Sequence, residues 1–129
     1  PNCKSYQKIK SVVDAEGKGV YQGKIYVKDI AQKTNAYQLS KALLLSENSE
    51  FNSKPELEIY ADDVKCSHGS TSGSVDENSI HYLMTRGLSK KQAVQLLVNG
   101  FLNEIIGDIK SNSVRKFIEN KIEIQIHGY

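Results

Sequence analysis

Short alternating segments dominate the first half of the chain. Leu57 and Ile59 alternate with Glu56 and Glu58, and this period of two is typical of a strand with one buried face. Similar short segments, rich in β-branched and aromatic residues, recur from the N-terminus onward without a helical pattern between them. This arrangement excludes a doubly wound α/β sheet. It is compatible with a sandwich, a barrel or a β-solenoid.

The first 27 residues predict two strands joined by a turn. The turn signal is the segment Glu16–Gly19, and the following segment, Val20–Val27, has strand composition. We expect these two strands to form a short pair. We also expect Asn35, Asn48 and Asn52 to occupy tight corners, because asparagine tolerates the left-handed backbone conformation.

The pattern of the chain changes after Gly69. The segment Ser70–Ser74 contains only small and polar residues, a composition typical of a flexible connection. Acidic residues that suit a helix start follow it directly. The sequence therefore predicts a strand domain over residues 1–73 and a small helical domain over residues 74–129.

Helical periodicity governs the second domain. A first helix is predicted to end at Gly87 in a left-handed glycine cap, and a second to begin at the capping box Ser89–Gln92. The apolar positions of the second helix cover more than one face, so we expect it to be packed on two sides. From Ser113 onward the pattern fits helix and strand alike, and we favour helix. The domain has more apolar surface than three short helices can bury, which indicates a partner surface or cover by the strand domain.

Composition narrows the possible function classes. With 129 residues, the chain can bury a core without a metal ion or a disulfide. Its net charge of +2 gives little support for nucleic-acid binding. Cys3 and Cys66 are far apart, which favours a reducing compartment, the cytoplasm, over secretion. No apolar run approaches the roughly 20 residues of a membrane span, and a first residue Pro1 indicates a processed product or a fragment.

Two acids, a thiol and an imidazole lie close together in the sequence. Asp62 and Asp63 are expected to form a turn, because adjacent strand residues face opposite sides. In an extended segment Cys66 and His68 leave the same face and could form part of a metal site. A closed site needs about four ligands, and the other cysteine and histidines are distant in sequence. A Cys–His nucleophile is disfavoured because no oxyanion donor is evident, and we predict no enzymatic activity.

Longer motifs in this sequence resemble a known family. The string Leu57–Gly69, the string Tyr82–Ser89 and the triplet Asn99–Phe101 closely resemble the C-terminal part of the SufB/SufD family of iron–sulfur cluster assembly scaffold proteins. The resemblance is continuous from Lys33 to Ile106. Within the family, the string Cys66–Gly69 is more similar to SufD-type members, because SufB-type members tend to have a glutamate–histidine–glutamate string there.

The resemblance implies a mainly β plus α fold. Residues up to about Gly69 would be the last rungs of a right-handed parallel β-helix, followed by a small C-terminal helical domain. In the family, SufB and SufD pair through their β-helices, and the helical domains dock onto the ATPase SufC. The implied function is that of a scaffold subunit, or a fragment of one, without turnover of its own. It would hold no stable cofactor, although a transient iron–sulfur cluster would form at the SufB–SufD interface.

The resemblance also implies roles for particular residues. His68 would lie near the SufB–SufD interface and assist cluster formation there, as an iron ligand shared with SufB. Cys66 is the second candidate for this cluster-assembly interface, although the resemblance does not assign it a role as a ligand. The candidates for SufC docking are Tyr82, Arg86, Leu97 and Phe101. The alternative function is a self-contained metal-binding or redox module that uses Cys66 and His68. The isolated chain is expected to form a dimer or a larger species, because the end of a β-helix exposes a strand edge.

Overall fold

A computed structural model describes residues 1–127 of the chain. It has mixed β and α architecture, with parallel strands followed by three helices, which confirms the predicted order of elements. The chain divides into two compact units, one ending at Ser74 and the other beginning at Val75. The elements are β1 (Lys4–Val13), β2 (Lys18–Val27), β3 (Asn35–Leu44), β4 (Glu50–Ile59), β5 (Lys65–Ser74), α1 (Glu77–Thr85), α2 (Lys90–Ile106) and α3 (Asn112–His127).

The strands form two parallel sheets. One sheet has the order β1-β3-β5 and the other has the order β2-β4, so each strand pairs with the second strand along the chain. The predicted pair between the first two strands is therefore wrong. Parallel neighbours need a long connection between them, and here each connection contains a strand of the other sheet. The turn that precedes β2, closed by a hydrogen bond from Gly17 N–H to Asp14 C=O at 2.9 Å, leads from one sheet to the other.

Alternate side chains of β3 form the buried side of the larger sheet. Ala36, Gln38, Ser40 and Ala42 are all buried, whereas the residues between them are half-buried. A small apolar cluster of Ile25, Val27, Ala36 and Ala61 forms the core of the strand unit. Gln38 and Ser40 are therefore polar residues at positions of the kind that apolar side chains usually occupy.

The predicted burial of β4 is only partly correct. Leu57 and Ile59 pair in register with Ile25 and Val27 of β2, but they remain 39% and 37% exposed. Within the described residues β4 has a neighbouring strand on one side only. Its other edge therefore has no neighbouring strand whose side chains would pack beside Leu57 and Ile59, which is consistent with their partial exposure.

The predicted flexible connection over Ser70–Ser74 is wrong. These residues form the second half of β5 and pair in register with Ser40–Leu44 of β3. Parallel pairing is made by backbone groups, so small polar side chains do not prevent it. The prediction of asparagine corners is correct for Asn48, which lies in the turn between β3 and β4, and wrong for Asn35 and Asn52, which lie within strands. None of the three adopts the left-handed conformation; among the described non-glycine residues, positive φ angles occur at Asn2, Ala15 and Lys33.

Local capping motifs delimit the helices as predicted. Gly87 has a φ of 101°, and the Leu88 N–H donates to the Leu83 C=O at 3.3 Å, which completes a Schellman motif. The capping box that begins at Ser89 is present. α2 contacts both α1 and α3, which confirms its predicted cover on two sides. The favoured helix in the last segment is confirmed to residue 127; residues 128–129 lie outside the described part.

No helix within residues 1–127 combines the length and the apolar character that crossing a lipid bilayer requires.

Asp76 makes α1 sensitive to acid. Its carboxylate accepts hydrogen bonds from the Ser79 hydroxyl at 2.6 Å and from the Asn78 and Ser79 N–H groups at 3.2 and 3.1 Å. These bonds, the hydroxyl first, lower the pKa of Asp76 below its ordinary value of 3.8. A lowered pKa stabilises the folded state above the unfolded-state value, and this stabilisation is lost as the pH falls through the folded-state value.

We therefore expect the helical circular dichroism signal to decrease in acid, below about pH 4, partly through Asp76. The variant Asp76→Asn does not titrate, although its single amide oxygen replaces only one of the two carboxylate oxygens that accept hydrogen bonds in the parent chain. It should retain more of its neutral-pH helicity at pH 2–4 than the parent chain does. Identical acid profiles for the two proteins would show that this cap does not contribute.

Candidate functional site

β5 has one paired edge and one free edge. It is the outermost strand of its sheet within the described residues, and the Lys65 N–H donates to the Thr34 C=O at 2.9 Å. Backbone groups of successive strand residues point to opposite sides of the strand. The odd-numbered residues of β5 therefore bond β3, and the even-numbered residues, including Cys66 and His68, direct their N–H and C=O groups to the free edge.

The side chains of Cys66 and His68 lie on the same face of β5. Their register partners on β3 are Ala36 and Gln38, so this face is the buried face of the sheet. Cys66 is half-buried and packs against the apolar core cluster. His68 is exposed. The two neighbours thus differ in environment: the thiol is part of the packing, whereas the imidazole is accessible at the rim.

Gln38 is the register partner of His68 on β3, and the sequence analysis missed it. Its side chain is 1% exposed, and its Nε2 donates to Gln7 Oε1 at 2.9 Å. Its Oε1 is buried and has no hydrogen-bond partner. A signal was present in the sequence, because Gln38 shares the inward face of β3 with Ala36, a position where a large polar side chain needs an explanation.

Gly23 makes room for the Gln38 amide. A Cβ atom added at Gly23 would lie 2.5 Å from Gln38 Nε2 and would also collide with the Tyr21 hydroxyl. Any other residue at this position would push the Gln38 side chain from its place. A hydrogen bond to Gln7 therefore fixes the amide, and the missing side chain at Gly23 leaves the space that the amide occupies.

A cluster of polar side chains links β2 to the end of β4 on the exposed face. Lys24 Nζ lies 2.9 Å from Glu58 Oε2, and the Tyr60 hydroxyl donates to Glu58 Oε1 at 2.7 Å. These contacts, the tyrosine hydroxyl first, lower the pKa of Glu58. All of these side chains are in contact with solvent, so the group aligns two strands and contributes little stability.

The acidic pair and the remaining candidate ligands do not complete a metal site. Asp62 and Asp63 lie in the exposed bend between β4 and β5, which confirms the predicted turn. Cys3, which directly precedes β1, and His81, which lies on α1, are both exposed. Within residues 1–127 no group of three or more His, Cys, Asp and Glu side chains could hold a metal ion.

Comparison with known proteins identifies the family. Residues 1–101 match the family described as SUF system FeS cluster assembly, SufBD core domain. This chain belongs to the SufBD family. The match begins at residue 1, so it extends further towards the N-terminus than the motifs between Lys33 and Ile106 indicate.

Individual SufBD family members support the assignment. The chain is 36% identical over 126 residues to the iron–sulfur cluster assembly protein SufD of Escherichia coli, covering 98% of this chain and 30% of that protein. It is 41% identical over 115 residues to a SufBD family protein of Synechocystis, covering 89% and 25%. It is 32% identical over 115 residues to SufD of Bacillus subtilis, covering 89% and 26%.

The predicted SufD-like character is therefore confirmed. The chain spans between a quarter and a third of the length of these relatives.

The helical unit of this SufBD family chain exposes apolar side chains. Among the predicted docking residues, Tyr82 is 61% exposed and Arg86 is exposed, whereas Leu97 and Phe101 are half-buried within α2. The sequence analysis missed Leu96, which is 50% exposed on the same helix. Among the residues of this unit whose side chains the structure describes, up to residue 125, the exposed large apolar ones are Tyr82, Met84, Leu96, Val114, Phe117 and Ile124.

Proposed function

We propose that this chain is part of a SufD-type scaffold subunit that pairs with SufB and docks the SufC ATPase during iron–sulfur cluster assembly. The observation that carries the proposal is a free strand edge, with an exposed histidine, in a chain of the SufBD family. Two relatives carry the name iron–sulfur cluster assembly protein SufD. Because this chain covers only part of their length, the activity of the whole protein belongs to the proposal.

In this proposal the two sheets are the last rungs of a right-handed parallel β-helix. The support is the pairing of each strand with the second one along the chain, since consecutive rungs of a solenoid stack in this way. The free edge of β5 then offers backbone donors and acceptors to a strand of SufB, a recognised mode of strand addition.

His68 would act at the free edge of β5, where the strand of SufB is proposed to pair. Imidazole is a good ligand for iron, and the exposed ring lies on the edge strand next to the proposed partner. The cluster is cargo, assembled between two chains and passed on. This chain then needs no stable cofactor and no turnover of its own, and the cytoplasm is the proposed location.

The free helix surface would dock SufC. The predicted docking residues Leu97 and Phe101 are half-buried, so replacing them with aspartate would damage the helical unit itself. Tyr82 and Leu96 are exposed and provide a cleaner test. We expect Tyr82→Asp and Leu96→Asp to weaken SufC binding at least tenfold, because exposed apolar anchors dominate binding energy.

The measurement is calorimetric titration of SufC with each variant after its fold is checked by circular dichroism. Ile124→Asp, at a 69% exposed residue of α3, is the control and should bind SufC as the parent chain does. Unchanged affinity in both test variants would show that SufC docks elsewhere.

Anaerobic reconstitution with iron and sulfide tests the scaffold role against the self-contained module. The scaffold proposal expects no stable cluster on this chain alone. A stoichiometric cluster that forms on the chain by itself and is lost in His68→Ala would contradict it.

A further inference from the structure

The buried carbonyl oxygen of Gln38 lacks a hydrogen-bond donor. Gln38 is 1% exposed, and its Oε1 has no partner in the structure. A buried amide oxygen is normally paired, and an orphaned one calls for an explanation. The explanation has to come from a neighbour that can bring an N–H or O–H group to this side of β3.

The geometry of the amide selects the neighbour. Gln38 Nε2 donates to Gln7 on β1, and the absence of a side chain at Gly23 leaves room for this arrangement. The two terminal atoms of an amide diverge from its carbon, so Oε1 points away from Gln7. With the strand order β1-β3-β5, the side away from β1 is the side of β5.

His68 is the residue of β5 that can fill this role. It pairs in register with Gln38, and neighbouring strands lie about 4.8 Å apart with in-register side chains on the same face. Its ring is exposed and therefore has space to rotate about its side-chain bonds. Imidazole always carries at least one N–H donor at its ring nitrogens.

We propose that Gln38 is a positioning residue for His68. The imidazole rotates onto the buried carbonyl and donates one ring N–H to Gln38 Oε1. The ring is then held in one tautomer, and the lone pair of the other nitrogen faces away from the amide. Histidines that bind metal ions usually donate their second nitrogen in this way to a carbonyl or carboxylate. The use of that lone pair for iron rests on the proposed function; the hydrogen bond itself does not.

The tautomer of His68 is the test. Nitrogen-15 shifts of the labelled chain, measured where imidazole is neutral, report which ring nitrogen carries the proton. We expect the tautomer ratio of His68 to change about threefold to tenfold in Gln38→Met, the factor that one hydrogen bond of ordinary net strength supplies. Methionine keeps the length of the side chain and removes the acceptor. An unchanged ratio would overturn the proposal.

Two controls accompany this measurement. The Ser40 hydroxyl is also buried on this face of β3 and also has no hydrogen-bond partner. Removing it in Ser40→Ala should leave the tautomer ratio of His68 unchanged. His81 on α1 is an internal reference that Gln38→Met should not affect. If Gln38→Met does not fold, a measurement on the parent chain alone tests the proposal. An Overhauser effect between the His68 ring N–H and the Gln38 Hγ protons supports the pair, and its absence overturns it.

A second arm separates this inference from the proposed function. In a reaction with SufB and SufC, Gln38→Met should reduce cluster yield in the same direction as His68→Ala while binding SufB normally. The double variant should be no worse than His68→Ala alone. Failure of the parent chain to bind SufB would reject the proposed function and leave the tautomer result intact. Normal SufB binding with an unchanged tautomer ratio would reject the role of Gln38 alone.

Discussion

Ser70→Pro is expected to abolish pairing of this chain with SufB while leaving the chain folded. The Ser70 N–H points to the free edge of β5, as the alternation from Lys65 requires. Proline removes that donor and places its ring where a partner strand would lie. Natural edge strands use proline to prevent edge-to-edge pairing. Within the sheet nothing is lost, because the affected group does not bond β3.

Thr71→Pro is the matched control one residue further along β5. The Thr71 N–H points towards β3, so proline at this position breaks a bond within the sheet. It also leaves a carbonyl of β3 without its donor. We expect the free energy of unfolding to fall by about 1–3 kcal/mol, whereas Ser70→Pro should change it little.

Titration of each folded variant with SufB, together with urea unfolding, measures the two effects separately. Sedimentation adds a third readout, because the same edge is expected to promote self-association of the isolated chain, and Ser70→Pro should reduce it. Normal SufB binding by Ser70→Pro would show that SufB does not add to the edge of β5. A concentration-independent monomer of the parent chain would contradict the predicted self-association.

Strand β5 shows what a local pattern does and does not specify. The prediction that Cys66 and His68 leave one face needs only an extended backbone, and β5 provides it. The sequence gives no sign that the strand continues through Ser74. Strands are predicted from alternating apolar and polar residues, and a run of small polar residues has no such alternation. It depends on hydrogen bonds to β3, a strand about thirty residues earlier in the chain.

Which strands pair with each other is equally hard to predict from local sequence. The turn around Gly17 has the composition of a hairpin turn, yet the strands that it joins belong to different sheets. A turn fixes the local chain direction, and the register of a parallel pair is fixed by side chains from distant segments. Gln38 shows the same limit. The sequence marks it as a polar residue in a strand segment, but its hydrogen bond to Gln7, its proximity to Gly23 and its register with His68 arise only when the strands stack.

The helical unit was easier to predict because its signals are local. The glycine cap at Gly87 and the capping box at Ser89 involve residues within five positions of each other. Backbone groups at helix ends must find partners nearby, so the residues that satisfy them are adjacent in sequence. Exposure along α2 was less predictable: Leu96 and Leu97 are neighbours of the same type, and only their position around the helix distinguishes them.

Val98→Asp is expected to unfold the helical unit and leave the strand unit folded. Val98 is 2% exposed and lies on α2, the helix that contacts both α1 and α3. A buried carboxylate without a partner costs at least about 4 kcal/mol, a large part of the 5–15 kcal/mol that typically stabilises a domain. The strands keep their own apolar core around Ile25 and Ala36, which the substitution does not touch.

Leu96→Asp is the control for this substitution on the same helix. Leu96 is 50% exposed, so its carboxylate remains hydrated and the unit should stay folded. Nuclear magnetic resonance distinguishes the outcomes residue by residue. In Val98→Asp the amide signals of α1, α2 and α3 should collapse to unfolded positions while those of β2 and β3 remain dispersed. Loss of the strand signals together with the helices would show that the two units fold as one cooperative structure, and retention of both would show that α2 tolerates a charge in its core.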